Sequence, residues 1–283
     1  MIADRKHLPF LLHLLEDHST VVREEVTKAL IAYGPDLLND SQAYRSQLDG
    51  YSIAVLEEIL DQIGEIAFGG DWLDWLDLGD TKAGLEAALM ALTEIEFEGQ
   101  SNRIPNLLNR LAERYTSWAE EVTVSSLMEF LFQVAGFGPS RDGQYSHLHE
   151  NLLYVLDQQE GNQVALSCIA ILVGNRVGLE LDGISIQGNF MPISFEQEQL
   201  QMFNSFNKGR PLARASIMYI EEAYRRNQLS PLQMKAQVYE VVIQLMRNII
   251  DHLQRENQHE KAQEYVERFR ALSQRLSNQD LTV

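Results

Sequence analysis

A single cysteine, at position 168, rules out an internal disulfide and with it the small disulfide-stapled secreted classes. Proline is scarce, seven in 283 residues, and no long polar or low-complexity tract points to disorder or a fibrous chain. No stretch approaches the roughly 20 consecutive apolar residues that span a bilayer. The opening MIADRKHLPFLLHLLEDHS lacks the apolar run and small-residue cleavage site of a secretory leader, so a cytoplasmic protein is expected. Positive charge is also short: 23 basic residues against 41 acidic give a formal net charge of −18. That excess repels nucleic-acid phosphates and anionic membrane surfaces. A protein partner or a small molecule is expected, not nucleic acid or membrane, and composition leaves the oligomeric state open.

What is present is mostly helical periodicity. In residues 8–38, Leu8, Leu11, Leu12 and Leu15 form one apolar stripe and Val22, Val26, Leu30 and Ile31 another. Asp17 and Ser19 suit a helix N-cap between them, and Gly34-Pro35 closes the pair. The Val22-Arg23 opening of the second helix resembles a HEAT-type repeat. One such pair cannot bury both its faces and must dock on the next stretch of chain. A polar linker near 39–50 leads to YSIAVLEEILDQIGEIA, with Leu56, Ile59, Leu60 and Ile63 on one side, and FGGDWLDW breaks it. Further amphipathic helices are predicted near 82–94, 103–118 and 122–133, the second lined by Leu107, Leu108, Leu111 and Tyr115.

The pattern changes at GFGPSRDGQYS (136–146), a loop rich in turn formers. A short helix near 149–158 is expected next, then a helix over 163–177 that is apolar on nearly every side, through Val164, Leu166, Cys168, Ile169, Ile171, Leu172 and Val173. Such a helix belongs in the centre of a domain. LDGISIQ and NFMPIS read as two strands, and helices are expected over 195–207, 211–227, 231–255 and 259–277, the last two paired like a tetratricopeptide-type hairpin. The fold class is therefore mostly α within α+β: a HEAT-like pair (1–48), a helical domain with a core carrying a small antiparallel sheet (49–209), and C-terminal helical hairpins (210–283).

From Gly136-Phe137 through Tyr145, Val155-Leu156, Gly161, Gly178-Leu179 and Gly183-Ile184 to Gly188-x-Phe190, the spacing resembles the SirB family of bacterial proteins, which have a transglutaminase-like core. Asp71-Trp72, Trp75 and the segment NIIDHL (248–253) fit the same pattern. The resemblance implies a site at the start of the apolar helix, where helix dipole and free N–H groups favour a thiolate and a neighbouring strand supplies a histidine. The polar positions depart from it. His149-Glu150 replaces an Asn-Ser pair, Gln159 an arginine, Gln163-Val164 a Pro-Ile, and Asn189 the histidine of Gly-His-Phe. By resemblance, transglutaminase-like enzymes place their cysteine near Gln163. An amide is no nucleophile, and Asn189 cannot take up a proton near neutral pH.

The expectation is therefore a pseudoenzyme: a non-catalytic interaction or regulatory module with no catalytic residue, cofactor or metal, whose vestigial positions are Gln163 and Asn189. Its candidate groove comprises Trp72, Trp75, Tyr145, His149, Gln163 and Asn189. A cysteine-dependent hydrolase or amidase, or a small-ligand sensor using the same groove, is the alternative. Cys168 lies about 140° around the helix from Gln163 and is expected to be buried packing. His147 and His149 lack further ligands at recognisable spacing, so a solvated or capping role is expected rather than metal. Trp72 and Trp75 suit the anchor of a helix junction, or else an exposed docking patch.

Overall fold

The computed structural model describes residues 7–16, 19–33, 37, 41, 44, 48–68, 72–186, 188–196, 199–226 and 235–280. Asp17, Gly34-Pro35, Gly69-Gly70, Asp71 and most of the polar linker lie outside them, as does the side chain of Ile63. The chain divides into two compact units, Met1–Trp75 and Leu76–Val283.

The first unit holds α1 (Leu8–His13), α2 (Thr20–Tyr33) and α3 (Gly50–Phe68). Ser19 opens α2, its hydroxyl facing the Val22 N–H at 3.5 Å and its carbonyl accepting from the Arg23 N–H. Leu8, Leu12, Leu15, Val26 and Leu30 are buried in one cluster with Leu56 and Ile59 of α3. The pair thus buries its apolar stripes against α3. The sequence pattern suggests a boundary at 48/49, but α3 shares this core with the pair.

The second unit begins with α4 (Lys82–Glu96), α5 (Arg103–Trp118) and α6 (Val124–Glu129), the last running into a π-helical turn over Phe130–Val134. Thr81 caps α4 and Thr123 caps α6, each hydroxyl accepting an N–H three residues on. A 3-10 turn at His147–Glu150 then leads into α7 (Leu152–Gln158) and α8 (Gln163–Arg176). Every residue of α8 from Val164 to Gly174 is buried, as its all-round apolar sequence requires.

Four antiparallel strands come next, in sheet order β1-β2-β3-β4: β1 (Asp182–Ile186), β2 (Asn189–Glu196), β3 (Gln199–Asn204) and β4 (Arg210–Pro211). The molecule is thus mostly helical with one small antiparallel sheet. The helix expected over 195–207 is not formed. Residues 199–204 pair with β2, Ile193 opposite Met202 and Phe195 opposite Leu200, and 205–207 make one 3-10 turn. The Gln- and Glu-rich composition of FEQEQLQMFN favours a helix locally, but placing Leu200, Met202 and Ile193 in one apolar cluster with Ile184 and Ile217 outweighs that preference.

α9 (Arg214–Arg226), α10 (Val238–Arg255) and α11 (His259–Asp280) complete the chain. The sequence pattern places α10 and α11 in a separate segment from residue 210. Instead they belong to the second unit, and α10 packs on α4, α8 and the 147–150 turn.

Candidate functional site

The glycine pattern of the central segment has a geometric cause. A Cβ at Gly183 would lie 2.1 Å from Cζ of Phe190, a buried residue of the facing strand in the β1–β2 ladder. Glycine there is the space the Phe190 ring fills. Gly188 turns β1 into β2 at φ +80°, a conformation that L side chains rarely adopt. Together they bring Phe190 of β2 against α8. The Ser167 hydroxyl bridges the Phe190 carbonyl (3.1 Å), the Gln163 carbonyl (2.7 Å) and the Ser205 hydroxyl (2.9 Å).

That contact lies one helical turn from Gln163 and one residue from Asn189, so both sequence-predicted positions flank the same helix–strand junction. Gln163 is half-buried at the N-terminus of α8 and Asn189 is exposed. The N-cap of α8 is Asn162, whose side-chain oxygen accepts the Ala165 N–H at 2.7 Å. Tyr145 and His149 also meet, their rings edge-on at 5.2 Å, and Tyr145 stacks on Phe206 at 6.2 Å. Trp72 and Trp75 belong to the first unit, Trp75 buried and Trp72 half-buried.

His147 and His149 are buried, which corrects the solvated reading. His149 completes a capping box with Ser146, its Nδ1 accepting the Ser146 N–H at 3.1 Å. His147 faces two carboxylates, with Nε2 3.3 Å from Glu96 and Nδ1 3.4 Å from Glu256. Burial works against the charge of Glu96, but hydrogen bonds from His147 and Lys261 outweigh it and hold its carboxyl below the usual range. Among the described residues no group of three or more His, Cys, Asp or Glu side chains is placed to hold a metal.

Sequence reasoning missed Glu150. It is 4% exposed, and its Oε2 accepts from the amide of Asn162 and, at 3.1 Å, from that of Asn248 on α10. Burial pushes this carboxyl up to about 8 despite those two donors, which favour the charged form. Its signal in the sequence is fragmentary. Glu150 stands where the resembled pattern has serine, and Asn248 opens the NIIDHL segment 98 residues away. Cys168 is fully buried, and burial pushes its thiol up.

A mostly helical domain built round a buried central helix, with a strand hairpin laid across that helix's first turns, defines the class of fold. A family model described as the transglutaminase-like superfamily matches residues 99–248, and the chain belongs to that superfamily. It is 26% identical over 147 residues to a UPF0162 protein of Xylella fastidiosa strain Temecula1, covering 50% of this chain and 52% of that one. A UPF0162 protein of strain 9a5c gives the same identity and coverage. The chain spans about half the length of the curated relatives it matches. No solved structure gives a significant match.

Proposed function

We propose that this chain is a non-catalytic, SirB-type member of the superfamily that works in the cytoplasm as a protein-interaction or regulatory module. One observation carries the reading: the first turn of α8, where the superfamily resemblance puts a nucleophile, presents the Gln163 amide, with Asn189 on the adjoining strand. Neither side chain can attack a carbonyl or exchange a proton near neutral pH. Cys168 does not substitute, because it points into the core and its thiol is disfavoured as thiolate. Glu150 is the feature that favours an enzyme, since a raised carboxyl suits a general acid. Its enclosure by Asn162 and Asn248 supports a structural role instead.

Two measurements test the proposal. Native protein treated with iodoacetamide is expected to leave Cys168 unmodified until the chain is unfolded; rapid modification of the folded protein at pH 6 would restore the cysteine-enzyme reading. Co-purification from the native host is expected to yield a partner that the Gln163→Arg variant loses while remaining folded. Recovery of the same proteins with both chains would remove the groove from the interaction.

A further inference from the structure

Trp118 ends α5 with 41% of its surface exposed, and Val122, four residues on, is 43% exposed. Beside them an open hollow of about 590 Å³ is lined by Glu113, Arg114, Ser117, Trp118 and Phe130. Its floor is Phe130, a buried ring of the π-helical turn that follows α6, and the rings of Tyr115 and Trp118 tilt against it, each with centroids 5.6 Å away. The Arg114 guanidinium lies over the same ring, 5.9 Å from its centroid. This aromatic group therefore already holds one guanidinium, through the attraction of a cation for a ring quadrupole, and indole is the ring that attracts cations most strongly.

The charge around the hollow is mostly negative. Glu113, Glu120, Glu121 and Glu129 are exposed along the stretch that carries Trp118 and Phe130. Against these four stand Arg114 and, one turn back on α5, Arg110, so two carboxylates are in excess. Lys208 and Arg210 do not offset them. Gly209 between those two cations abuts Met128 and Phe132, which project from the side of their helix away from Phe130, two residues being about half a turn. The negative pole of the α5 dipole also falls at Trp118.

We infer that this hollow docks an arginine-bearing basic segment of a partner protein: one guanidinium stacks on the Trp118 indole and pairs with Glu113, and neighbouring basic residues of the segment meet Glu120 and Glu121. A planar guanidinium satisfies ring and carboxylate together, whereas an ammonium group is a strongly hydrated point charge that does not stack. The formal net charge of −18 draws such a segment in. The inference goes beyond the reading at Gln163 and Asn189, with which the hollow shares no lining residue, so either can fail without the other.

The test titrates the full chain, in low-salt buffer, into fluorescein-labelled hexapeptide amides that alternate glycine with arginine, lysine or glutamate, with binding read by anisotropy. The arginine peptide is expected to bind at least threefold more tightly than the lysine peptide and at least tenfold more tightly than the glutamate peptide. Trp118→Ala should erase the difference between arginine and lysine. Glu113→Gln, Glu120→Gln and Glu121→Gln combined should weaken both basic peptides at least fivefold, while Glu98→Gln, Glu180→Gln and Glu260→Gln combined, the same change of charge at exposed sites elsewhere, should weaken them less than twofold. Equal binding of the two basic peptides, binding of neither, an arginine preference that survives Trp118→Ala, or equal losses in the two triple variants overturns the inference. N-acetylarginine amide binding as tightly as the hexapeptide would assign the hollow to a small cation, and self-association in sedimentation that Trp118→Ala removes would assign it to a second copy; either result also overturns it. Should Trp118→Ala fail to fold, as read by circular dichroism, the two triple variants and the comparison of arginine with lysine on the unsubstituted chain decide.

Discussion

Replacing Glu150 with glutamine isolates the charge of one buried carboxyl while keeping its size and its acceptor oxygen for Asn162 and Asn248. In the folded chain this group is pushed up to about 8, from an ordinary value of 4.5. Below about pH 4.5 both folded and unfolded chains hold the proton, and the group gives stability no slope. Between 4.5 and 8 the unfolded chain has released the proton and the folded chain retains it, so stability falls as pH rises. Above 8 both are ionised and the slope vanishes. At about 1.4 kcal/mol per pH unit, the ceiling on this loss is roughly 5 kcal/mol, and rearrangement round the ionised group lowers it.

The variant carries no such charge, so subtracting its stability from the wild type's cancels the contributions of the other titrating groups. Urea denaturation followed by circular dichroism at pH 4.5, 6, 7, 8 and 9 provides the comparison. Glu150→Gln is expected to gain on the wild type progressively up to pH 8, by about 2 kcal/mol or more, and to hold that advantage at pH 9. A difference that stays constant across the series would refute the reasoning, because it would mean that Glu150 ionises alike in both states. A wild type that gains on the variant with rising pH would reverse the assignment and make Glu150 a favourably held carboxylate.

Gly183→Ala drives a methyl group into the Phe190 ring, and overpacking of this kind costs about 1–3 kcal/mol, read as a lowered denaturation midpoint; an unchanged midpoint would mean the hairpin slides freely. Gln163→Cys with Asn189→His puts a thiol at the N-terminus of α8 and an imidazole on the strand packed beside it. The double variant should be alkylated at position 163 faster at pH 6 than Gln163→Cys alone, because imidazolium holds the thiolate in the range of about 3.5–7.5. Equal rates in two folded variants would mean that the two positions do not face each other.

Most of the helices were legible because their burial is decided locally. α5 occupies the 103–118 span expected from Leu107, Leu108, Leu111 and Tyr115, and α8 needs no partner information to declare itself buried. β3 was not legible. Its helix-forming glutamines and glutamates lose to an apolar cluster whose other members come from β1, β2 and α9, and no window of sequence contains that competition. The division of the chain shows the same limit. α10 and α11 have the look of a free-standing hairpin, yet α10 lies in contact with the 147–150 turn, where Asn248 meets Glu150.

The glycines of the hairpin and the polar residues beside it obey different constraints. Gly183 and Gly188 are held by sterics: the Phe190 ring fills the first position and a left-handed turn occupies the second, so any side chain at either disturbs the hairpin whatever the chain does. Gln163 and Asn189 sit at the edge of the same junction, half-buried and exposed, where packing dictates no particular side chain. Glu150 differs from both, since a carboxyl buried at 4% exposure requires partners. Asn162 and Asn248 supply them from two different elements. Removing the Glu150 side chain therefore strands two amides, and Glu150→Ala should lower the denaturation midpoint well below that of Gln163→Ala or Asn189→Ala.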